Sequence, residues 1–456
     1  MLRPIHTIIV VCAGAAMLLA TSGNAPCAEA DMSWQKMAEQ LRAENQTLRG
    51  QLQEQQDVIK NLGRRVSEIE QASSRNGVEA GSVVSGGKSS STEAQDSGGV
   101  NFGRLHISGE GAVGVFDTGP TGAFPNSEFR ADEAKLFLEA PIWDDVYVFS
   151  ELNLVLRENA DPNNFPNNSF TMGELYLDFE NVSQHWGGAG QVNVRIGRFD
   201  IPFGEEYQTR DAIRNPLISH SLSDTWGVDE GIELFGRVGP VKYALAVQNG
   251  GHPSLRDYTS DKAVTARIGF APTKWLDVSL SAMRTGSSDV PSYEMSELWF
   301  GGGFIRALGS MATTSLSHAE LVELDWRAHW KGGHLAAAGG YIHFDDNDTT
   351  ADNRRDVYYY YVEGVQELTD KIYFASRWSH ILADKGFPVV GYGNFKQYFT
   401  DNNELVDEMW RWSFGLGYRL SESLLFKVEY GLEQGNKISG SDRTEKFLTA
   451  EAAFKF

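Results

Sequence analysis

Phe447-Leu448-Thr449-Ala450-Glu451-Ala452-Ala453-Phe454-Lys455-Phe456 changes character with a period of two. Leu448, Ala450, Ala452, Phe454 and Phe456 are apolar, and Thr449, Glu451, Ala453 and Lys455 fall on the opposite side. Successive side chains of a strand point to opposite faces, so this is a strand with one apolar face and one mixed face. The same division recurs upstream. In Met409–Leu420, Trp410, Trp412, Phe414, Leu416, Tyr418 and Leu420 oppose Met409, Arg411, Ser413, Gly415, Gly417 and Arg419. Phe426, Val428 and Tyr430 oppose Lys427, Glu429 and Gly431, and Val322, Leu324, Trp326 and Trp330 oppose Glu323, Asp325 and Arg327. A soluble sandwich would turn its polar face to bulk water. Here the other face is so aromatic on strand after strand that lipid is its better partner, and in lipid only a closed sheet satisfies every backbone N–H and C=O.

The expected fold is therefore all-β, a transmembrane antiparallel β-barrel of about 16 strands over residues 101–456, with an N-terminal α-helical coiled coil. The strands fall near 104–116, 130–140, 145–157, 169–180, 191–200, 230–238, 241–249, 262–271, 275–285, 319–331, 334–344, 355–365, 371–382, 408–420, 423–433 and 444–456. Long connections (117–129, 158–168, 201–229, 250–261, 286–318, 345–354, 383–407) alternate with short ones such as Gly239-Pro240 and Ser421-Glu422. That layout resembles bacterial outer-membrane barrels, whose long loops face outward, and the final Phe456 resembles the end of their closing strand. Fourteen or eighteen strands are the alternatives. About sixteen strands enclose a water channel. Residues 181–190 fit no short turn, and the tyrosines Tyr358-Tyr359-Tyr360-Tyr361 break the alternation in the manner of an aromatic girdle.

Residues 1–30 read as a secretory signal peptide: Arg3, an apolar stretch from Ile8 to Ala20, and the small-residue site Ala28-Glu29-Ala30. Cys12 and Cys27 both precede that cut, so the mature chain would carry no thiol. Over 31–71, Ala38, Leu52, Ile59 and Val66 at heptad position a, with Leu41, Leu48, Leu62 and Ile69 at d, predict a periplasmic coiled coil. Its a/d residues nominally favour dimers, whereas Arg65 and Glu70 resemble a short motif of parallel trimers. The trimer is the preferred reading; the alternatives are a dimer and a single helix packed on the barrel. Residues 72–100 form a Gly/Ser-rich linker. Residues 100–456 hold 50 acidic and 31 basic residues, which excludes a nucleic-acid partner.

Gly197-Arg198-Phe199-Asp200-Ile201-Pro202-Phe203-Gly204-Glu205-Glu206-Tyr207, then Asp229-Glu230-Gly231-Ile232 and Asn249-Gly250, resembles the phosphate-selective porin O and P family. The resemblance implies an outer-membrane homotrimer of sixteen-stranded porins whose third loop, 201–229 here, folds inward as the constriction. It also implies lumen arginines that select anions. Candidates are Arg195, Arg327, Arg377, Arg411, Arg419 and Lys427 on the wall, with Arg210 and Arg214 in the loop. Inward positions also carry Glu133, Glu139, Glu151, Glu174, Asp178, Glu233, Glu323, Asp325 and Glu429. The loop adds Glu205, Glu206, Asp211 and Asp224 and no lysine. Arginine forks suit oxyanions, while carboxylate rings favour cations, so the mixture predicts weak selectivity.

The sequence offers no enzyme. The histidines make no H-E-x-x-H, and Ser219-His220-Ser221 lacks a nucleophile elbow. Asp345, Asp346, Asp348 and Asp352 lack the glycine and terminal Glu of an EF-hand, so no metal or cofactor is expected. The expected function is passive diffusion of small hydrophilic solutes or ions across the outer membrane of a Gram-negative bacterium, with phosphate or other anions the solutes that the resemblance implies. The alternatives are a tether holding the outer membrane to the cell wall through the coiled coil, and a sheath for a multihaem cytochrome, for which sixteen strands are narrow.

Overall fold

Wherever apolar and polar residues alternate, the backbone adopts extended geometry and finds an antiparallel neighbour. Sixteen wall strands result: β1 Leu105–Asp117, β2 Glu128–Trp143, β3 Val146–Val155, β4 Thr171–Phe179, β5 Asn193–Asp200, β6 Val228–Val238, β7 Val241–Gln248, β8 Ala263–Thr273, β9 Leu276–Arg284, β10 Leu316–Trp330, β11 Gly333–Asp346, β12 Arg355–Glu367, β13 Ile372–Phe387, β14 Val406–Ser421, β15 Leu424–Lys437 and β16 Asp442–Lys455. Each pairs with the next, and β16 returns to β1 with Phe454 opposite Gly111. Phe456 and Gly109 then exchange two backbone hydrogen bonds of 2.9 and 3.1 Å. The sheet is closed and has no free edge.

This is a computed structural model, and it describes residues 99–119, 126–155, 170–188, 191–209, 211–222, 225–250, 260–286, 288–289, 299–300, 303–305, 316–346, 354–387, 389–390, 406–437 and 442–456. The chain divides into two units, Met1–Gly87 and Lys88–Phe456. Everything described belongs to the second. The expected signal peptide, the coiled coil and nearly all of the linker lie outside the described residues, as do Arg210 and Asp224.

Alternation along the strands separates outside from inside. Leu416, Val428 and Leu448 on the outer face are 52%, 49% and 55% exposed, whereas their chain neighbours Lys427, Glu429 and Thr449 are buried within the barrel. Outward rings meet across strands, with Trp378 stacked on Trp410 at 5.0 Å and Trp412 edge-on at 5.7 Å. The tyrosine quartet does not break this pattern. Tyr358 and Tyr360 face out, while Tyr359 and Tyr361 are buried on the inner side. The expected girdle therefore holds two of the four tyrosines, because the pleat assigns faces regardless of side-chain type.

Two connections depart from simple loops. Residues 181–192 hold a 3-10 turn, Val182–Trp186, entered through Asn181 in the left-handed region. The Ser183 hydroxyl accepts from the backbone N–H groups of Gln191 (3.2 Å) and Val192 (3.0 Å), which accounts for the extra length at the short-turn end. At the long-loop end, Thr225–Trp226 pairs with Trp299–Phe300, that with Gly303–Ile305, and that with Val389–Val390. This small sheet joins three of the long connections. Runs of two or three residues are too short for periodicity to reveal.

Candidate functional site: the inward loop and the lumen wall

Between β5 and β6 the chain turns inside the barrel. Ile201, Phe203 and Leu222 pack into a cluster with Met283, Leu321, Ile342, Val357, Tyr359, Ile381 and Met409 from the inner wall. Further along, Ala212, Ile213 and Leu217 pack with Ala112, Val365, Tyr373, Ala375, Leu425 and Ala453. A water-filled lumen should not present apolar side chains on its inner wall. Those on β9–β14 are explained by the loop that covers them, each large one contributing about 1.5–3 kcal/mol when fully buried. Inner glycines make room for rings. A side chain at Gly417 would meet the Tyr373 ring 2.1 Å away, and one at Gly431 would meet Phe447 at 2.0 Å.

The loop's polar groups are as tightly matched. Glu429 accepts from the N–H of Ile218 (2.6 Å), the N–H of Ser219 (2.7 Å) and the Ser219 hydroxyl (2.5 Å). Glu206 takes the N–H (2.9 Å) and hydroxyl (2.5 Å) of Ser221. Tyr373 donates to Pro216 O at 3.0 Å. The two serines beside His220 are thus hydrogen-bonded to carboxylates.

The wall arginines expected to face solute are instead spent on this architecture. Arg377 donates to Glu363 (2.6 Å), Asn215 (2.9 Å) and Ser219 O (2.7 Å), and its side chain is 1% exposed. Arg411 binds Glu433 at 2.6 Å and the His220 carbonyl at 3.2 Å. Lys427 binds Glu451 (2.8 Å), Ala212 O (2.8 Å) and Leu217 O (3.1 Å). Arg195 lies between Asp178 (2.8 Å) and Glu233 (3.4 Å), its guanidinium 4.0 Å from the centre of the Tyr176 ring. In each set the partners stand directly opposite in register: Glu363 with Arg377, Glu433 with Arg411, Glu451 with Lys427, and Asp178 and Glu233 with Arg195. Aligning neighbouring strands about their short turns carries this signal. Single-strand alternation does not, and Glu363, Glu433 and Glu451 escaped the sequence reading for that reason.

The remaining candidates are dispersed. Glu323 accepts from the Tyr359 hydroxyl at 2.6 Å, and Asp325 accepts from Glu205 N at 3.3 Å and from the Ser279 hydroxyl at 3.1 Å. Glu205 pairs with Arg267, an inward cation of β8 that the sequence reading missed. Arg214 is exposed and receives a backbone turn from Asp211, whose carboxylate takes its N–H at 2.6 Å. Arg327 and Arg419 sit near the short-turn end; the Nε of Arg327 is buried without a hydrogen-bond partner, and Arg419 lies over the Tyr373 ring at 5.2 Å.

Strands β1–β5 present a different inner surface. Glu110 and Lys135 approach to 3.7 Å, and Glu174 accepts the N–H of Asp200 at 2.9 Å. Lys135 feels the charges of Glu133, Glu151 and Glu110 and reaches the field of Tyr207 in the loop, while Glu110 feels Asp211. Tyr207 and Asp211 of the loop thus lie near this strip. Among the described residues, no group of three or more His, Cys, Asp or Glu has the geometry to hold a metal ion.

No family model matches the chain, and no curated protein matches its sequence. Solved structures do match. The outer membrane channel DcaP of Acinetobacter baumannii superposes with a TM-score of 0.53 at 12% identity, covering 78% of this chain and 99% of that one. The likeness is one of fold. An anion-selective porin from Comamonas acidovorans (TM-score 0.49, 8% identity, 77% of this chain and 99% of that one) and OprB of Pseudomonas putida (0.45, 11%, 77% and 93%) are more distant still. The sixteen-strand closed barrel is the shared feature with DcaP.

Proposed function

We propose that this protein is an outer-membrane porin of a Gram-negative bacterium, a passive channel for small hydrophilic solutes and ions. One observation carries the reading. A loop of more than twenty residues is folded inside a closed barrel and held there by buried charged side chains of the wall that bond its backbone, the arrangement expected of a constricted pore. Such a channel needs no cofactor and no catalytic residue: solute follows its gradient past the loop. The likeness of fold to a protein described as an outer membrane channel supports this. The motif from Gly197 to Tyr207 supports kinship with the porin O and P family in loop architecture. Phosphate capture draws no support from Arg195, Arg377 or Arg411, whose forks are already occupied. Assembly as a homotrimer embedded in outer-membrane lipid, with the 31–71 coiled coil in the periplasm, completes the proposal.

Purified full-length protein added to a planar bilayer should insert in discrete conductance steps. Deleting 31–99 should preserve those steps. Loss of envelope integrity in cells carrying that deletion, together with absence of conductance from the intact protein, would favour the tether instead.

A further inference from the structure

Glu205 and Glu206 are neighbours in the inward loop, yet their carboxylates meet opposite surroundings. Glu206 turns to the buried side, where Ser221 donates to it and Arg377 approaches to 3.8 Å, the two charged side chains 4% and 1% exposed. Glu205 turns to Arg267 of β8, and that pair is 31% and 20% exposed within the barrel. A buried ion pair is screened little by salt, whereas one that water reaches is weak and yields to it.

Register explains why Arg267 takes its partner from the loop. Arg377, Arg411, Lys427 and Arg195 each have a carboxylate opposite them on a neighbouring strand. Arg267 stands opposite Ala244 on β7 and Ser281 on β9, neither of which carries charge. Asp325 and Glu323 on β10 add to the field at Arg267. Asp325, however, accepts from the Ser279 hydroxyl and Glu205 N–H, and Glu323 from the Tyr359 hydroxyl. The carboxylate in contact with the Arg267 guanidinium is that of Glu205.

The backbone around Glu205 carries the effect of this contact onward. Gly204, left-handed at φ +69°, donates its N–H to the Ser281 hydroxyl at 3.1 Å. The Thr209 hydroxyl donates to the Glu205 carbonyl at 2.8 Å, which ties the helical turn Glu206–Thr209 to that residue. Beyond the start of the turn, Tyr207 reaches the field of Lys135 on β2 and Asp211 that of Glu110 on β1. The chain therefore crosses the lumen from β8 towards β1 and β2 within a few residues, and the near end of the crossing is set where Arg267 holds Glu205.

We propose that Glu205 and Arg267 form a lumen-facing clasp that positions the turn Glu206–Thr209 across the passage and sets the current the open channel carries. Arg267 is the positioning residue and Glu205 its counter-charge on the loop. Arg377, Arg411 and Lys427 hold the rest of the loop from inside the wall, whereas the clasp loosens when salt screens it. This inference rests on the porin reading and deepens it by naming the contact that regulates the constriction.

The test uses the full-length chain in planar bilayers, with unit conductance and open-channel noise as readouts. Glu205→Gln and Arg267→Met should each lose the wild-type current level. The double variant should go no further than either single one, because both remove the same contact. Arg267→Lys should retain the wild-type level. The ratio of variant to wild-type conductance should depart from one at about 0.1 M KCl, where the Debye length is about 10 Å, and return towards one at about 1 M, where it is about 3 Å. The change made by Arg377→Ala, inside the wall, should persist at both.

A second arm works on channels already assembled. The chain has two cysteines, Cys12 and Cys27, and both are replaced by Ser. In that background Arg267→Cys should recover the wild-type level on reaction with an ammonium-bearing methanethiosulfonate and not with a sulfonate-bearing one. Additive effects in the double variant, or the same response to reagents of either charge, overturn the clasp and leave a porin. A cysteine that fails to react shows that water does not reach the site, which overturns the clasp as well. Absence of any conductance from the wild type overturns the porin reading itself, and the clasp with it.

Discussion

Glu429 shows how much one inward side chain can decide. Its carboxylate holds three donors of the loop at 2.5–2.7 Å, in a site from which water is excluded. Hydrogen bonds to a charged group contribute about 1.5–3 kcal/mol each, and orphaned buried donors cost a comparable amount. Glu429→Ala should therefore release segment 217–219, read as increased open-channel current noise and new protease sensitivity within the loop, while the heat-modifiable migration of the barrel on gels stays unchanged. Gly204 provides a second case. Its φ of +69° is left-handed, and a side-chain atom there would meet the Glu323 carboxylate 2.6 Å away. Gly204→Ala should cost about 1–2 kcal/mol from the backbone alone. A shifted loop entrance should follow, read as an altered unit conductance. Glu429 was visible in the sequence as an inward residue of its strand. Its partners were not, because Ile218 and Ser219 lie more than two hundred positions away.

At the scale of the strand, face is set by parity, and the consequences can be tested by exchanging neighbours. Leu416 points outward at 52% exposure, and its neighbour Gly415 points inward, where Leu217 lies 2.4 Å from a built side-chain atom. Leu416→Arg should destabilise the barrel by about 2–4 kcal/mol near the bilayer midplane. The check is equilibrium refolding into lipid vesicles. Gly417→Ala on the inner face should instead displace the Tyr373 ring and break its hydrogen bond to Pro216 O. That change should leave refolding nearly intact and raise channel noise. The strands themselves were legible, all sixteen falling where alternation placed them, with ends differing by a few residues. Several extend further than expected, as β2 and β13 do, because ladder pairing with the neighbouring strands continues past the alternating stretch.

For the whole molecule, closure and loop insertion act together. The closed barrel leaves no strand edge, so its backbone ladder is complete whatever fills the lumen. The loop therefore adds shape to the pore at little cost to the wall. Arg377→Ala tests this separation. Removing one member of a buried pair costs about 3–5 kcal/mol, because Glu363 then loses the guanidinium that balances it inside the wall. The loss should appear as loop mobility and higher conductance, and the folded barrel should persist in detergent.

Sequence by itself determined the closed barrel, the approximate positions of its strands and the face of nearly every wall residue, since period-two alternation is a local property of the extended chain; the count of sixteen was settled by the pairing. It also placed the inward loop at 201–229 through the resemblance carried by Gly197 to Tyr207. Tertiary structure alone decided which charges are taken up by the wall and the loop. Arg377, Arg411 and Lys427 look alike in sequence to Lys135, all inward cations on alternating strands. The first three are consumed by carboxylates across the sheet and by carbonyls of a loop far away in the chain. Lys135 stands beside Glu110 on the neighbouring strand. Electrostatics depends on distance in space, and only folding sets that distance.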